Sequence, residues 1–124
     1  MNELLKKLSK EILSGTEVGE IIGNPKDFPI RLIEKLSIET ALNYWNGKID
    51  FEEGDCIMNN LQGFWVTNDH YCQNFAFGKI PWACYEAFDA GEYLGTTDNS
   101  DIDPVEVYTK PMIYKLLREI KLIN

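Results

Sequence analysis

Carboxylates at helical spacing, a histidine beside a cysteine, and an acid-rich loop are the features of this chain with the means to do chemistry. Glu86, Asp89 and Glu92 stand three residues apart. On a continuing helix Glu86 and Asp89 share a face, as do Asp89 and Glu92. Such a cluster performs acid–base work when one member is buried; the simpler reading is a solvated polar face, where charged residues usually lie. His70 is the only histidine, and Cys72 lies two residues on. A nucleophilic pair needs the imidazole within reach of the sulfur and a third group to orient it. Residues two apart on a helix do not face each other, so Cys72 reads as an inert small residue and His70 as a solvated one near a helix start. The run DNSDIDPVE offers carboxylates at Asp98, Asp101, Asp103 and Glu106. An EF-hand requires oxygens at alternate positions and a central glycine; here the fifth position is Ile102 and the sixth Asp103. A loose divalent site is the functional reading of that run, and helix capping with loop solvation the simpler one. There is no G-x-S-x-G and no glycine-rich phosphate loop. No catalytic residue, metal ligand or cofactor is assigned.

Charge is the stronger signal. Between Asp50 and Thr109 there are twelve carboxylates and one base, Lys79, a net of −11; elsewhere eleven bases meet eight acids, a net of +3. Two helix starts within the acidic block recruit acids to oppose the helix dipole, which accounts for about five of the twelve. The remainder is an excess of one sign, where an ordinary surface mixes signs. It raises self-repulsion unless a basic partner uses it. The same imbalance, −8 over 124 residues, argues against nucleic acid or an anionic membrane as the default partner. Tyr71, Trp82, Tyr85, Tyr93 and Tyr108 are interleaved with the acids, and aromatics are common binding anchors.

The elements that must position these residues are helical. Leu4, Leu5, Leu8 and Ile12 predict a first helix with Gly15 as its stop. TEVGEII reads as a short helix capped by Thr16. Asp27 is expected to cap a helix with Pro29 in its first turn and Leu32, Ile33, Leu36, Thr40, Ala41 and Tyr44 as its stripe. Ser37 is a point where this helix could divide, and Gly47 ends it. Asp50-x-x-Glu53 has the form of a capping box, ahead of an apolar face of Ile57, Met58, Leu61, Phe64 and Trp65. A short helix over His70 to Ala76 follows, then one from Pro81 that ends near Gly91. Asp103-Pro104-x-Glu106 is a further helix start. Met112, Ile113, Leu116, Leu117 and Ile120 form the last apolar face, kinked or restarted at Pro111. GFWVT and NFAF are the only strand candidates. The expectation is one all-α domain over residues 1–124, a compact bundle of five to seven helices. This length buries roughly two-thirds of the unfolded surface, so no disulfide or structural metal is needed. The N-terminus MNELLKKLSK lacks the apolar core of a secretion signal. Cys56, Cys72 and Cys84 are an odd number at no metal-ligand spacing. A cytoplasmic protein with reduced thiols is expected.

The runs FEEGDCIMNNLQGFW, WACYEAFDAGEY and DPVEVYTKPMIYKLL together resemble small acidic bacterial immunity proteins. These are the antidotes encoded beside contact-dependent growth-inhibition and Rhs/Wap-type toxins. The order of small helices is also similar in outline to colicin D-type immunity proteins, which are helical bundles. The likeness covers Asp50 to Leu117 and is weaker in front. It implies a partner: a basic toxin nuclease domain, acting on tRNA or other RNA, whose substrate groove or an adjacent surface the acidic face covers. It implies no enzymatic activity, no direct nucleic-acid contact and no membrane, in a monomer or weak dimer. No individual contact residue carries over by motif.

The candidate contacts are therefore taken from charge. Asp50 and Asp103 are spent as caps. Asp89, Glu92, Asp98 and Asp101 have no local task, and Asp55 and Glu52 come next. Tyr85, Tyr93 and Trp82 are the candidates for a desolvated centre. Two other classes stay open: a small acidic adaptor or nucleic-acid-mimicking inhibitor, and an enzyme built on Glu86, Asp89 and Glu92 with a divalent ion.

Overall fold

Helices start in this protein where the sequence supplies a side-chain acceptor. The computed structural model describes residues 2–92 and 103–123. Asn2 accepts from the Leu5 amide and opens α1, Glu3–Leu8. Ser14 and Glu17 form a reciprocal capping box at the head of α2, Gly15–Ile22. Helix α3, Ile30–Trp45, follows Pro29. Asp50 and Glu53 cap α4, Phe51–Val66, in both directions, at 2.8 and 3.1 Å. Asn68 caps α5, Asp69–Asn74. Gly78, at φ 115°, turns the chain into α6, Lys79–Gly91. A π-helical turn, Val105–Thr109, leads into α7, Lys110–Glu119. The architecture is an all-α bundle, with no strand among the described residues. GFWV lies inside α4, and Phe75 is extended without pairing.

Four expectations about boundaries are corrected. The first helix stops at Leu8 and does not reach Ile12, which is 68 % exposed. The cause is Asn60 on α4, buried beneath the connection. Its amide donates to the carbonyls of Leu8 and Glu11, both at 2.9 Å, and its oxygen accepts from the Leu13 amide at 2.8 Å. The Leu8 carbonyl that would receive Ile12 in a longer helix is thus already taken. Gly15 begins α2 instead of stopping α1, and Ser14 displaces Thr16 as its cap. Asp27 caps nothing; its carboxylate lies 2.9 Å from Nε2 of His70. Ser37 does not divide α3, because its hydroxyl bonds the Ile33 carbonyl at 2.8 Å inside the unbroken helix.

One connected core draws on every helix, from Leu5 and Leu8 to Ile113 and Leu117. Helix α6 is its hub, packed on α3, α4, α7 and the π turn. Gly54 sets the α4–α6 approach: a Cβ there would sit 2.5 Å from the ring of Phe88, which is fully buried. Gly91 does the same at the other end, where a Cβ would meet Thr109 Oγ1 at 2.3 Å and Phe51 at 2.6 Å. Thr109 in turn donates to the Ala87 carbonyl at 2.7 Å. Pro111 explains the π turn that carries Thr109. Proline has no N–H and clashes with the carbonyl four residues back. Widening the preceding turn, so that Lys110 N reaches the Val105 carbonyl, relieves that conflict. Asp103 receives the Val105 amide at 3.0 Å, as a cap for this segment.

Candidate functional site

Local tasks absorb half of the described acids in the acidic block. Asp50 and Glu53 cap α4. Asp69 sits in the first turn of α5. Asp103 caps the π turn, and Glu106 pairs with Lys110 at 2.7 Å. Glu52, Asp55, Glu86, Asp89 and Glu92 remain; of these Glu52 also lies in the first turn of α4.

Three of these five converge. Gly54 brings α4 against α6, so the next residue, Asp55, faces the C-terminal end of α6, where Asp89 and the capping residue Glu92 stand. Asp55 is half-buried and hydrogen-bonds Glu92. Burial, then this bond, then the charges of Glu92 and Asp89, push its carboxyl up to about 8. Near neutral pH Asp55 therefore tends to keep its proton beside Glu92. Tyr85, one turn before Asp89, is half-buried beside them. Burial first, and then Asp89, Glu92 and Asp55, raise its phenol. Its ring meets Trp82 edge-on, with centroids 5.4 Å apart. Trp82 continues the contact to Phe77 and Trp65. A tyrosine on a rigid aromatic stack is thus framed by three carboxyl groups.

Among the described residues no cation forms an ion pair with this group. The ion pairs among the described residues are Lys6–Glu3, His70–Asp27 and Lys110–Glu106. Among the described residues no three His, Cys, Asp or Glu side chains are arranged to hold a metal. The arrangement presents excess negative charge and one acidic proton to a visiting cation.

Of the sequence candidates, the structure brings together Asp55, Asp89, Glu92 and Tyr85. Glu52 is exposed in the first turn of α4, one turn before Asp55. Trp82 is half-buried in the aromatic stack and also lines a shallow depression with Lys79, Ala83 and Glu86. The expected run of Glu86, Asp89 and Glu92 on one face does not form the cluster. Helix α6 ends at Gly91, Glu86 is exposed and lines depressions with Lys79 and Trp82 and with Met112 and Lys115, and Asp55 of α4 joins Asp89 and Glu92 instead. Tyr93, Asp98 and Asp101 lie outside the described residues. His70 is exposed in the first turn of α5 on Asp27, while the Cys72 thiol turns to the Asp69 carbonyl at 3.9 Å. Cys84 is fully buried, donates to the Ser37 carbonyl, and has its thiol pushed far up by burial. Cys56 is half-buried on α4, its thiol raised by burial and by Asp55 and Glu11. A polar depression of about 310 Å³ lies away from the acids, between α2 and the α4–α5 junction, lined by Thr16, Asn24, Thr67 and Asn68. Among the described residues no helix is long and apolar enough to cross a membrane. No family model, curated protein or solved structure matches the chain.

Proposed function

We propose that this protein is an immunity protein, acting in the cytoplasm, that binds a basic toxin domain through the face formed by Asp55, Asp89, Glu92 and Tyr85. One observation carries the reading: the half-buried Asp55 carboxyl hydrogen-bonds Glu92 beside Tyr85, within the field of Asp89, and no ion pair among the described residues offsets them. That arrangement costs stability in the free protein, and a partner's Lys or Arg removes the cost. The remaining acids of the block extend the field, which raises encounter rates with a basic surface, to about 10⁸–10⁹ M⁻¹s⁻¹ at low salt. Tyr85, fixed on the stack of Trp82, Phe77 and Trp65, supplies a rigid centre whose desolvation slows release. An RNA-cleaving domain has a basic substrate groove, and covering that groove or its rim silences it. The sequence resemblance to antidotes of contact-dependent and Rhs/Wap-type toxins points the same way.

The test is a pull-down against the C-terminal domain encoded by the adjacent upstream reading frame, repeated over a salt series with a nuclease assay. A one-to-one complex that weakens with salt and silences RNA cleavage supports the reading. A complex insensitive to salt moves the energy from the carboxylates to the aromatic centre. No complex at any salt removes it.

A carboxyl group held protonated at neutral pH is also the pattern of a general acid, and Asp55 supports that second reading. Calorimetry with Mg²⁺, Mn²⁺ and Ca²⁺ separates its divalent-ion form from the first: specific heat at the Asp55 cluster, lost in Asp55→Asn, favours the enzyme.

A further inference from the structure

Trp45 closes α3 with 39 % of its surface exposed; among the described Phe, Tyr and Trp side chains only Tyr108 is exposed as well. Its ring lies 5.4 Å from that of Tyr114 on α7, at 38°. One helical turn on, the Arg118 guanidinium stands 5.6 Å from the centre of the Tyr114 ring. Three planar groups thus form a continuous ledge across the α3–α7 contact. Beside it, Tyr114, Lys115, Arg118 and Glu119 line an open depression of about 320 Å³.

The charge of this ledge opposes that of the molecule. From Lys110 to Lys121 four bases accompany one acid, in a chain of net charge −8. Neither Lys115 nor Arg118 lies within salt-bridge distance of a carboxylate among the described residues. Stacking occupies the face of a guanidinium and leaves its N–H donors available. If Arg118 served only to pack on Tyr114, that modest contact would not call for an exposed indole against the same ring. Trp, Tyr and Arg are the residues that dominate protein-interface energetics.

We propose that the Trp45–Tyr114–Arg118 ledge docks an acidic segment of a partner protein, its carboxylates on Arg118 and Lys115 and an apolar side chain on the indole. Charge selects this occupant over nucleic acid. A nucleic acid brings a dense row of phosphates toward a chain of net −8, whereas a short acidic segment brings only the few charges the ledge neutralises. This surface lies on α3 and α7, away from the Asp55 cluster on α4 and α6, and does not rest on the antidote reading.

Tryptophan emission of the full chain tests it, with Trp45→Phe as the subtraction reference. The probes are a capped Glu-Glu-Phe-Glu-Glu peptide, its lysine counterpart and a short oligouridylate. The glutamate peptide is expected to change the Trp45 emission saturably. Arg118→Glu, an exposed position, should weaken that response by about tenfold or more, and the lysine peptide should give none. If Arg118→Glu loses helical circular dichroism, Lys115→Glu makes the same comparison. No saturable change at millimolar peptide overturns the proposal. So does a response to oligouridylate alone, which marks a nucleic-acid surface. A salt-sensitive dimer in sedimentation that Arg118→Glu abolishes, without peptide binding, assigns the ledge to a second copy and overturns it as well.

Discussion

The carboxyl groups of Asp55 and Glu92 are hydrogen-bonded to each other, joining α4 to the end of α6 where an acid and a cation would be the expected pair. Asp89 adds its charge to the same spot. A half-buried carboxyl held beside two exposed ones is a local instability, and three consequences can be measured.

The first is the pH dependence of stability. The folded state raises Asp55 from 3.8 to about 8, so between those values it binds a proton that the unfolded chain has released. Stability from this group is fully present below about pH 4 and is lost as pH rises toward about 8. Asp55→Asn keeps a hydrogen bond to Glu92 and carries no charge. It should stabilise the protein at pH 8 and flatten that part of the profile. Solvent screening at a half-buried site holds the gain to about 1 kcal/mol. Urea unfolding at pH 5 and pH 8 checks this; a variant that gains nothing at pH 8 contradicts the shared proton.

The second concerns the partner. A lysine or arginine placed beside Asp55 lowers its pKa, so complex formation at pH 7 should release about one proton. Calorimetry in buffers of different ionisation enthalpy reads that number directly. In Asp55→Asn the release should vanish. Binding without any buffer dependence would put the basic partner elsewhere on the surface.

The third is charge reversal. Asp89→Lys with Glu92→Lys relieves the repulsion on Asp55, so the fold should hold or gain slightly. The same pair removes the field that a basic partner meets. Affinity should fall by about a hundredfold or more, largely through a slower association with a weaker dependence on salt. Stopped-flow association at two ionic strengths separates this from a folding defect.

What the sequence discloses and what it withholds divide along a physical line. Caps are local: Asp50 with Glu53, and Asp103 before Pro104, were readable because donor and acceptor lie within three residues. The apolar stripes of α3, α4 and α7 follow one period and were readable too. Charge bookkeeping singled out Asp55, Asp89 and Glu92, with Glu52, Asp98 and Asp101, and residue type singled out Tyr85 as an aromatic anchor. That Asp55, Asp89, Glu92 and Tyr85 meet depends on the α4–α6 crossing, which no periodicity encodes. Gly54, directly before Asp55, was the one available hint, since a glycine inside a helix often marks a close approach. The π turn was half-readable, through Pro111. The end of α1 was not readable, because Asn60 reaches it from about fifty residues away and an asparagine inside an apolar pattern does not announce its partner.

Asn60 gives the last prediction. It is 2 % exposed and satisfies three backbone groups of the segment between α1 and α2: the carbonyls of Leu8 and Glu11 and the amide of Leu13. Asn60→Ala leaves these groups facing a void. Each buried orphan costs about 1–3 kcal/mol, less where water can enter, so a loss of about 2–4 kcal/mol is expected. Asn60→Asp keeps the size and the acceptor but loses the amide donor, so the two carbonyls then face a buried carboxylate; it should be at least as damaging at pH 7 and recover on acidification, as protonation restores one donor. Asn60→Leu satisfies the core and none of the three bonds, so it isolates the hydrogen-bonding role from packing. Hydrogen exchange should localise the damage, with faster exchange at Leu13 and through α1 while α4 stays protected. If α1 kept its protection in Asn60→Ala, the helix would be ended by its own sequence and not by this side chain.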